Sequence, residues 1–160
     1  MKVKVNVQVN GIKRQLEVDT RMLLVELLRE KLGLTGSHVG CLTGNCGACT
    51  VLLNGTTVKS CTILAAQVDG SKITTIEGLD GGETLHPIQK AFNENYAIQC
   101  GYCTPGMILS AYYLLSKNPE PTETDIRKAI SGNLCRCTGY LNIVKAIGQA
   151  AKSLAAKKTA

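Results

Sequence analysis

Gly40-Cys41-Leu42-Thr43-Gly44-Asn45-Cys46-Gly47-Ala48-Cys49 is the stretch of sequence on which the fold depends. It places three cysteines at C-x4-C-x2-C spacing, and Cys61 follows after eleven intervening residues. Thiolates gathered around a bulky anionic group need a tightly bent backbone whose N–H groups point toward sulfur. Gly40, Gly44 and Gly47 permit the positive φ angles that such a bend requires. The stretch therefore predicts a metal-binding loop.

The spacing of these cysteines distinguishes between two kinds of metal site. Plant-type [2Fe–2S] proteins use C-x4-C-x2-C with a distant fourth cysteine, whereas structural zinc sites use closely spaced pairs on two loops. We therefore predict a [2Fe–2S] cluster here, with a structural zinc site as the alternative. The predicted ligands are Cys41, Cys46, Cys49 and Cys61.

Length and composition limit the class of protein. The 160 residues are enough for one domain or two small ones with a buried core. The formal net charge is +6, but the lysines and arginines are scattered apart from Lys157-Lys158, so we expect no nucleic-acid partner. We find no apolar signal-peptide core and no membrane span, which predicts a cytoplasmic chain. In that compartment the eight cysteines indicate metal binding rather than disulfides.

The beginning of the chain predicts a hairpin followed by a helix. Residues 2–9 alternate apolar and polar side chains, Asn10-Gly11 favours a two-residue turn, and residues 12–18 continue as the return strand. Thr20 is the expected cap of a helix that runs to about Leu32. The predicted apolar stripe of this helix consists of Leu23, Leu24, Leu27, Leu28 and Leu32.

A second hairpin is predicted beyond the cysteine loop. Residues 50–53 and 56–60 favour strands joined by an Asn54-Gly55 turn. A further turn at Asp69-Gly70 precedes a strand around residues 73–77.

Three regions follow from these patterns. Residues 1–77 are predicted to form an α+β domain, a small sheet packed on one helix. Residues 78–86 have the composition of a linker. Residues 87–160 have helical patterning and are predicted to form a four-helix bundle. The candidate helices are 87–95, 105–116, 123–131 and 141–154, with Thr104-Pro105 as an N-cap and first residue and a capping box from Thr122 to Asp125.

The helical region carries a second set of four cysteines. Cys100 and Cys103 form a C-x2-C pair, and Cys135 and Cys137 form a C-x-C pair 31 residues further on. Both pairs precede predicted helix N-termini, where free N–H groups and the helix dipole favour a bound anion. Spacing alone leaves a four-cysteine zinc site and a second iron–sulfur cluster both open.

No substrate chemistry can be recognised in this chain. It has no phosphate-binding GxxxxGK[ST] loop, no dinucleotide GxGxxG loop and no pairing of a nucleophile with a base. We therefore predict no catalytic residue.

Four strings together carry a resemblance to a known family: 40–51, Ser60-Cys61, QCGYCTPGM at 99–107 and GNLCRCTGY at 132–140. They closely resemble the small iron–sulfur subunit of the xanthine oxidase family of molybdenum hydroxylases, and the likeness runs from about Lys2 to about Ala151. It leans toward the carbon monoxide dehydrogenase and aldehyde oxidoreductase small subunits. Leu42 and Tyr102 depart from residues common in the family.

The resemblance implies an N-terminal β-grasp domain of the plant-type ferredoxin kind and a C-terminal four-helix domain. It also implies that the second set of cysteines holds a second [2Fe–2S] cluster rather than zinc. Gln99 and Cys137 match family positions that contact the pterin of the molybdenum cofactor. The implied partners are a large subunit with molybdenum-pterin and a medium subunit with FAD, in a heterotrimer or a dimer of heterotrimers.

On this interpretation the chain passes electrons from molybdenum through two clusters to FAD during hydroxylation of an aldehyde, carbon monoxide or an N-heterocyclic substrate. Two alternatives stand beside it. One is a free-standing two-cluster electron carrier, and the other is a structural zinc-binding module.

Overall fold

The first hairpin follows directly from the alternation of residues 2–9. In the computed structural model of the chain, which describes residues 1–79 and 84–158, β1 (Lys2–Val9) pairs antiparallel with β2 (Ile12–Asp19). Asn10 and Gly11 in the turn have φ angles of 50° and 81°, as a tight hairpin turn requires. Ile12 at the start of β2 remains 54% exposed. The fully buried valines of β1 are Val5, Val7 and Val9.

The sheet has five strands in the order β2-β1-β5-β3-β4. β3 (Thr50–Leu53) and β4 (Thr56–Lys59) form the second predicted hairpin. β5 (Lys72–Thr74) lies between the two hairpins, parallel to β1 and antiparallel to β3. The first half of the chain is thus a mixed sheet, as the α+β prediction requires.

The last predicted strand, 73–77, is shorter than expected. The side chain of Asn10 accepts the N–H of Thr75 at 2.9 Å and donates to its hydroxyl at 2.9 Å. These bonds replace sheet pairing, and the backbone turns into a short 3₁₀ helix at Ile76–Gly78. The strand prediction was therefore wrong beyond Thr74.

The predicted helix 20–32 also differs from the structure. Its N-cap is Leu23 rather than Thr20, so α1 (Leu24–Glu26) begins three residues later than predicted and continues as a π-helical turn, Leu27–Lys31. Leu23 forms a β-bridge with Leu64, and the N–H of Leu24 donates to the carbonyl of Ile63 at 2.7 Å, which holds the preceding residues extended. The predicted apolar stripe is largely correct: Leu24, Leu27 and Leu28 are buried against the valines of the sheet.

The second half of the described chain consists of helices. They are α2 (Pro87–Glu94), α3 (Thr104–Lys117), α4 (Glu123–Ala129) and α5 (Leu141–Lys158). Cys103, not Thr104, is the N-cap of α3. Thr122 and Asp125 form the predicted capping box of α4.

The four helices share one apolar core, separate from that of the sheet. Its largest fully buried side chains include Ile88, Phe92, Met107, Ile143 and Ile147. α3 also packs against β3 and β4, so the two halves of the chain meet along this helix. Residues 80–83 of the predicted linker 78–86 lie outside the described residues.

Candidate metal centres

The first set of cysteines lies in a loop whose backbone wraps around sulfur. The N–H groups of Thr43 and Cys46 both point at Sγ of Cys41, at 3.4 Å. A side-chain hydrogen bond from Thr43 has the largest effect, and together with these two N–H groups it lowers the pKa of Cys41 to about 6. A thiolate is therefore favoured at Cys41 before any metal is considered.

The glycines of this loop serve two different purposes. Gly44 and Gly47 have φ angles of 79° and 74°, as predicted. Gly40 does not have a positive φ, so that expectation was wrong, and Leu42 has one instead, at 59°. Gly40 is needed for space, because a Cβ there would lie 3.0 Å from Sγ of Cys46.

Cys49 and Cys61 form the buried side of the first set. β3 begins directly after Cys49, and Cys61 lies in the 3₁₀ turn Ser60–Thr62 that follows β4. The hairpin thereby brings the two thiols close together. Burial raises the pKa of Cys61 to about 11, so only an electropositive partner such as a metal would stabilise its thiolate.

The second set is assembled from two helix boundaries. Sγ of Cys100 lies 3.6 Å from Sγ of Cys137. Burial and then the neighbouring Cys135 thiol raise the pKa of Cys103, so Cys103 and Cys135 also lie near each other. Each pair therefore takes one cysteine from each segment. Two sulfurs on one tetrahedral metal lie ~3.8 Å apart when the metal–sulfur bond is about 2.3 Å. The spacing of Cys100 and Cys137 fits that requirement.

The pairing of thiols fits a two-iron cluster, in which each iron takes two cysteines. A zinc site would instead draw four ligands to one ion. Within residues 1–79 and 84–158 no three His, Cys, Asp or Glu side chains converge tightly enough to hold a single metal ion.

The first cysteine loop packs closely against residues 132–134 and the start of α3, and we call this contact the seam. The two sets of cysteines lie on either side of it. The N–H of Leu134 donates to the carbonyl of Cys46 at 2.8 Å. Asn133, which is 2% exposed, donates to the carbonyl of Gly47 at 3.0 Å and to the hydroxyl of Thr50 at 3.3 Å. Its own side-chain oxygen accepts from Ser110 on α3 at 2.8 Å. Asn133 therefore joins the first cysteine loop to the helical half.

Backbone packing in the seam leaves no room for side chains. A Cβ on Gly47 would lie 2.2 Å from the carbonyl oxygen of Gly132, and a Cβ on Gly106 would lie 2.3 Å from the carbonyl oxygen of Gly47. Gly106 is the third residue of α3. Its missing side chain lets the start of the helix lie directly against the cysteine loop.

Tyr102 makes a further connection between the two sets. It lies between Cys100 and Cys103, and its hydroxyl donates to the carbonyl of Val39 at 2.8 Å. Its ring stacks on His38 with centroids 4.4 Å apart, and Nδ1 of His38 lies 2.9 Å from the carbonyl oxygen of Tyr102. His38 therefore contacts the second cysteine segment.

Comparison with known proteins agrees with these two sites. Residues 7–75 match a family model described as "2Fe-2S iron-sulfur cluster binding domain", and residues 75–148 match one described as "[2Fe-2S] binding domain". The nicotinate dehydrogenase small FeS subunit of Eubacterium barkeri is 49% identical over 156 residues, covering 96% of this chain and 98% of its own.

This chain belongs to the small iron–sulfur subunits of the xanthine oxidase family of molybdenum hydroxylases.

Two further relatives support the same family assignment. A chain in the crystal structure of quinoline 2-oxidoreductase from Pseudomonas putida 86 superposes with a TM-score of 0.94 at 44% identity, covering 98% of this chain and 97% of that one. Aldehyde oxidoreductase of Megalodesulfovibrio gigas is 47% identical over 155 residues, covering 95% of this chain and 17% of its own length. This small iron–sulfur subunit has two [2Fe–2S] binding domains and is part of an oxidoreductase.

The remaining predicted site residues of the small iron–sulfur subunit lie at its surface. Gln99, Cys100, Arg136 and Cys137 are all exposed. The amide of Asn142 donates to the carbonyl of Tyr96 at 3.3 Å, which brings the two segments together here. Apolar side chains flank this exposed face, with Tyr96 81% exposed, Leu141 68% and Ile98 40%. Among the described residues, no helix is long and apolar enough to cross a lipid bilayer.

The role of Asn133 in the seam is not evident from the sequence. Asn133 belongs to the string GNLCRCTGY, in which the sequence predicts a role as metal ligands only for the cysteines. A single asparagine in a loop forms no periodic sequence pattern that would reveal its contacts. Its partners Gly47 and Thr50 are also distant in sequence. Only the spatial contact assigns it a function.

Proposed function

We propose that this subunit carries electrons between two partner-bound redox groups through its two [2Fe–2S] clusters. A [2Fe–2S] cluster accepts and releases one electron at a time. The observation that best supports the proposal is the hydrogen bond from the N–H of Leu134 to the carbonyl of Cys46. It joins the segment of Cys135 to a cysteine of the other set, with no intervening side chain.

The ligands we propose follow from which cysteines lie near one another. In the first set Cys49 pairs with Cys61, which leaves Cys41 and Cys46 for the other iron. In the second set Cys100 pairs with Cys137 and Cys103 with Cys135. The proposed ligands are Cys41, Cys46, Cys49 and Cys61 for the first cluster and Cys100, Cys103, Cys135 and Cys137 for the second.

The direction of electron flow is also proposed. Gln99 and Cys137 lie on the exposed face of the second set, where a partner could approach within contact distance. We propose that these two residues contact the pterin of a molybdenum cofactor and that electrons enter here. They would leave from the first set toward FAD, near Leu42, which is 57% exposed beside Cys41.

The assembly that this function requires contains other chains. We propose a large subunit carrying molybdenum-pterin and a medium subunit carrying FAD, in a heterotrimer or a dimer of heterotrimers. Relatives named for nicotinate, quinoline and aldehyde are of similar identity to this chain. We therefore keep the substrate as an N-heterocycle, an aldehyde or carbon monoxide, with its pocket on the large subunit.

The finer organisation of the fold belongs to the same proposal. We assign residues 1–77 to a β-grasp domain, 78–86 to a linker and 87–160 to a four-helix bundle. The order of the strands, with β5 between two hairpins, supports the first assignment. The common core of α2 to α5 supports the last.

Purification of the native protein tests this function against its alternatives. We expect the chain to elute with two larger subunits that contain molybdenum and FAD. Elution alone, near its own mass and without molybdenum, would indicate a free-standing carrier. A colourless, zinc-loaded protein after anaerobic isolation would indicate a structural module.

A further inference from the structure

One lysine occupies an unusual place beside the first set of cysteines. Lys59 is the last residue of β4, directly opposite Thr50 in the hairpin and two residues before Cys61. Its ammonium group donates to the hydroxyl of Thr50 at 2.8 Å. That hydroxyl in turn donates to the carbonyl of Gly47 at 2.7 Å. Strand register thus fixes Lys59 against the backbone of the cysteine loop.

The side chain of Lys59 runs through the seam between the two halves. A Cβ on Gly44 would lie 4.0 Å from its Cγ, and a Cβ on Gly132 would lie 3.6 Å from its Nζ. The stem of the lysine therefore lies near Gly44 and its ammonium group near Gly132, and Lys59 is only partly exposed. A charge in such a place acts through a lower effective dielectric than one in water.

No carboxylate of the described chain neutralises Lys59. The ion pairs found within residues 1–79 and 84–158 involve other cationic groups. The ammonium group of Lys59 bonds to the hydroxyl of Thr50, the residue directly after Cys49, and its Cγ lies 4.0 Å from the Cβ position of Gly44, between Cys41 and Cys46. The negative charge facing this ammonium group is thus the cluster site itself.

We propose that Lys59 is the counter-cation of the first [2Fe–2S] cluster and raises its reduction potential. This rests on the proposed function, because it requires a cluster on the first set. Two ferric irons, two sulfides and four thiolates sum to a dianion, and uptake of one electron, which converts one ferric ion to ferrous, gives a trianion. A fixed ammonium group stabilises the trianion more than the dianion. Lys59 therefore favours electron transfer onto this cluster from its neighbour.

The test measures the midpoint potentials of both clusters by redox titration of their EPR signals in the purified complex. The signal that Cys46→Ser removes is assigned to the first cluster. We expect Lys59→Met to shift that signal to a more negative potential while the other stays unchanged, and Lys59→Arg to keep the wild-type value. Because Lys59 is partly buried, the shift should persist at high ionic strength.

Lys13→Met is the matched control, since Lys13 is exposed on β2 at the opposite edge of the sheet. It should leave both potentials unchanged. Lys59→Gln serves as a second neutral variant should Lys59→Met lose its cluster, because glutamine can still donate to Thr50. An unchanged first potential in a loaded neutral variant, or a negative shift in Lys59→Arg equal to that of Lys59→Met, would overturn the proposal. Two signals in the wild-type protein would leave the proposed function standing in either case.

Discussion

The backbone N–H of Leu134 donates a 2.8 Å hydrogen bond to the carbonyl oxygen of Cys46. Leu134 immediately precedes Cys135, so this bond connects the two cysteine sets through main-chain atoms alone. A side-chain substitution cannot remove it directly. Its neighbours Asn133, Gly106 and Tyr102 can be changed, and each tests a different support of the seam.

Asn133→Ala should destabilise the protein by about 1–3 kcal/mol, because three buried polar partners each lose a hydrogen bond. The groups affected are the carbonyl of Gly47 and the hydroxyls of Thr50 and Ser110. Thermal unfolding of the loaded protein measures the effect. Asn142→Ala is the control, since this exposed amide makes one long bond to Tyr96 and should change stability by less than ~0.5 kcal/mol. Equal effects of the two substitutions would contradict a structural role for Asn133.

Gly106→Ala and Gly148→Ala form a matched pair of helical substitutions. A Cβ at position 106 would overlap the carbonyl oxygen of Gly47 at 2.3 Å, whereas one at position 148 would lie 3.9 Å from Ile126. We expect Gly106→Ala to force α3 away from the cysteine loop and lower the unfolding midpoint. Gly148→Ala should raise it, since alanine is favoured over glycine in a helix by up to ~1 kcal/mol. Comparable stability of the two variants would show that the seam is not closely packed at Gly106.

Local sequence patterns predict some features of this structure and miss those that depend on contacts between distant residues. Local spacing predicts the eight cysteines as ligands because that spacing follows from metal geometry, and the strands of the two hairpins are predicted correctly because alternation is local. The contact of Asn133 with Gly47 joins residues 86 positions apart, and no local pattern encodes it. The same holds for α1, whose start is set by the distant carbonyl of Ile63 rather than by Thr20. Similarly, the strand at β5 ends early because Asn10 takes the hydrogen bonds of Thr75.

Tyr102 departs from the residue common in the family, and Tyr102→Phe tests the hydrogen bond that its hydroxyl makes. The variant keeps the ring that stacks on His38 but loses the hydrogen bond to Val39. We expect both clusters to assemble and stability to fall by about 0.5–1.5 kcal/mol. Thermal unfolding compares it with Tyr113→Phe, whose ring on α3 lies near Lys117 and not in the seam. A loss no greater than that of Tyr113→Phe would show that the Tyr102 hydroxyl contributes nothing.

Gln99→Ala tests the proposed entry point for electrons. Gln99 is exposed beside Cys100, and its removal should slow reduction of the clusters by substrate while leaving both clusters assembled. Pre-steady-state reduction of the purified complex measures the rate, and the EPR spectrum confirms assembly. Gln15→Ala on β2 is the control and should not alter the rate. Unchanged reduction in Gln99→Ala would remove Gln99 from the proposed contact.

The EPR spectrum of the reduced native complex tests the central claim most directly. Two [2Fe–2S] signals are expected, each integrating to one unpaired electron per chain, and Cys46→Ser should remove one of them and leave the other. A single signal in the wild-type protein, loss of both signals in Cys46→Ser, or zinc in place of iron would contradict two separate clusters joined across the seam.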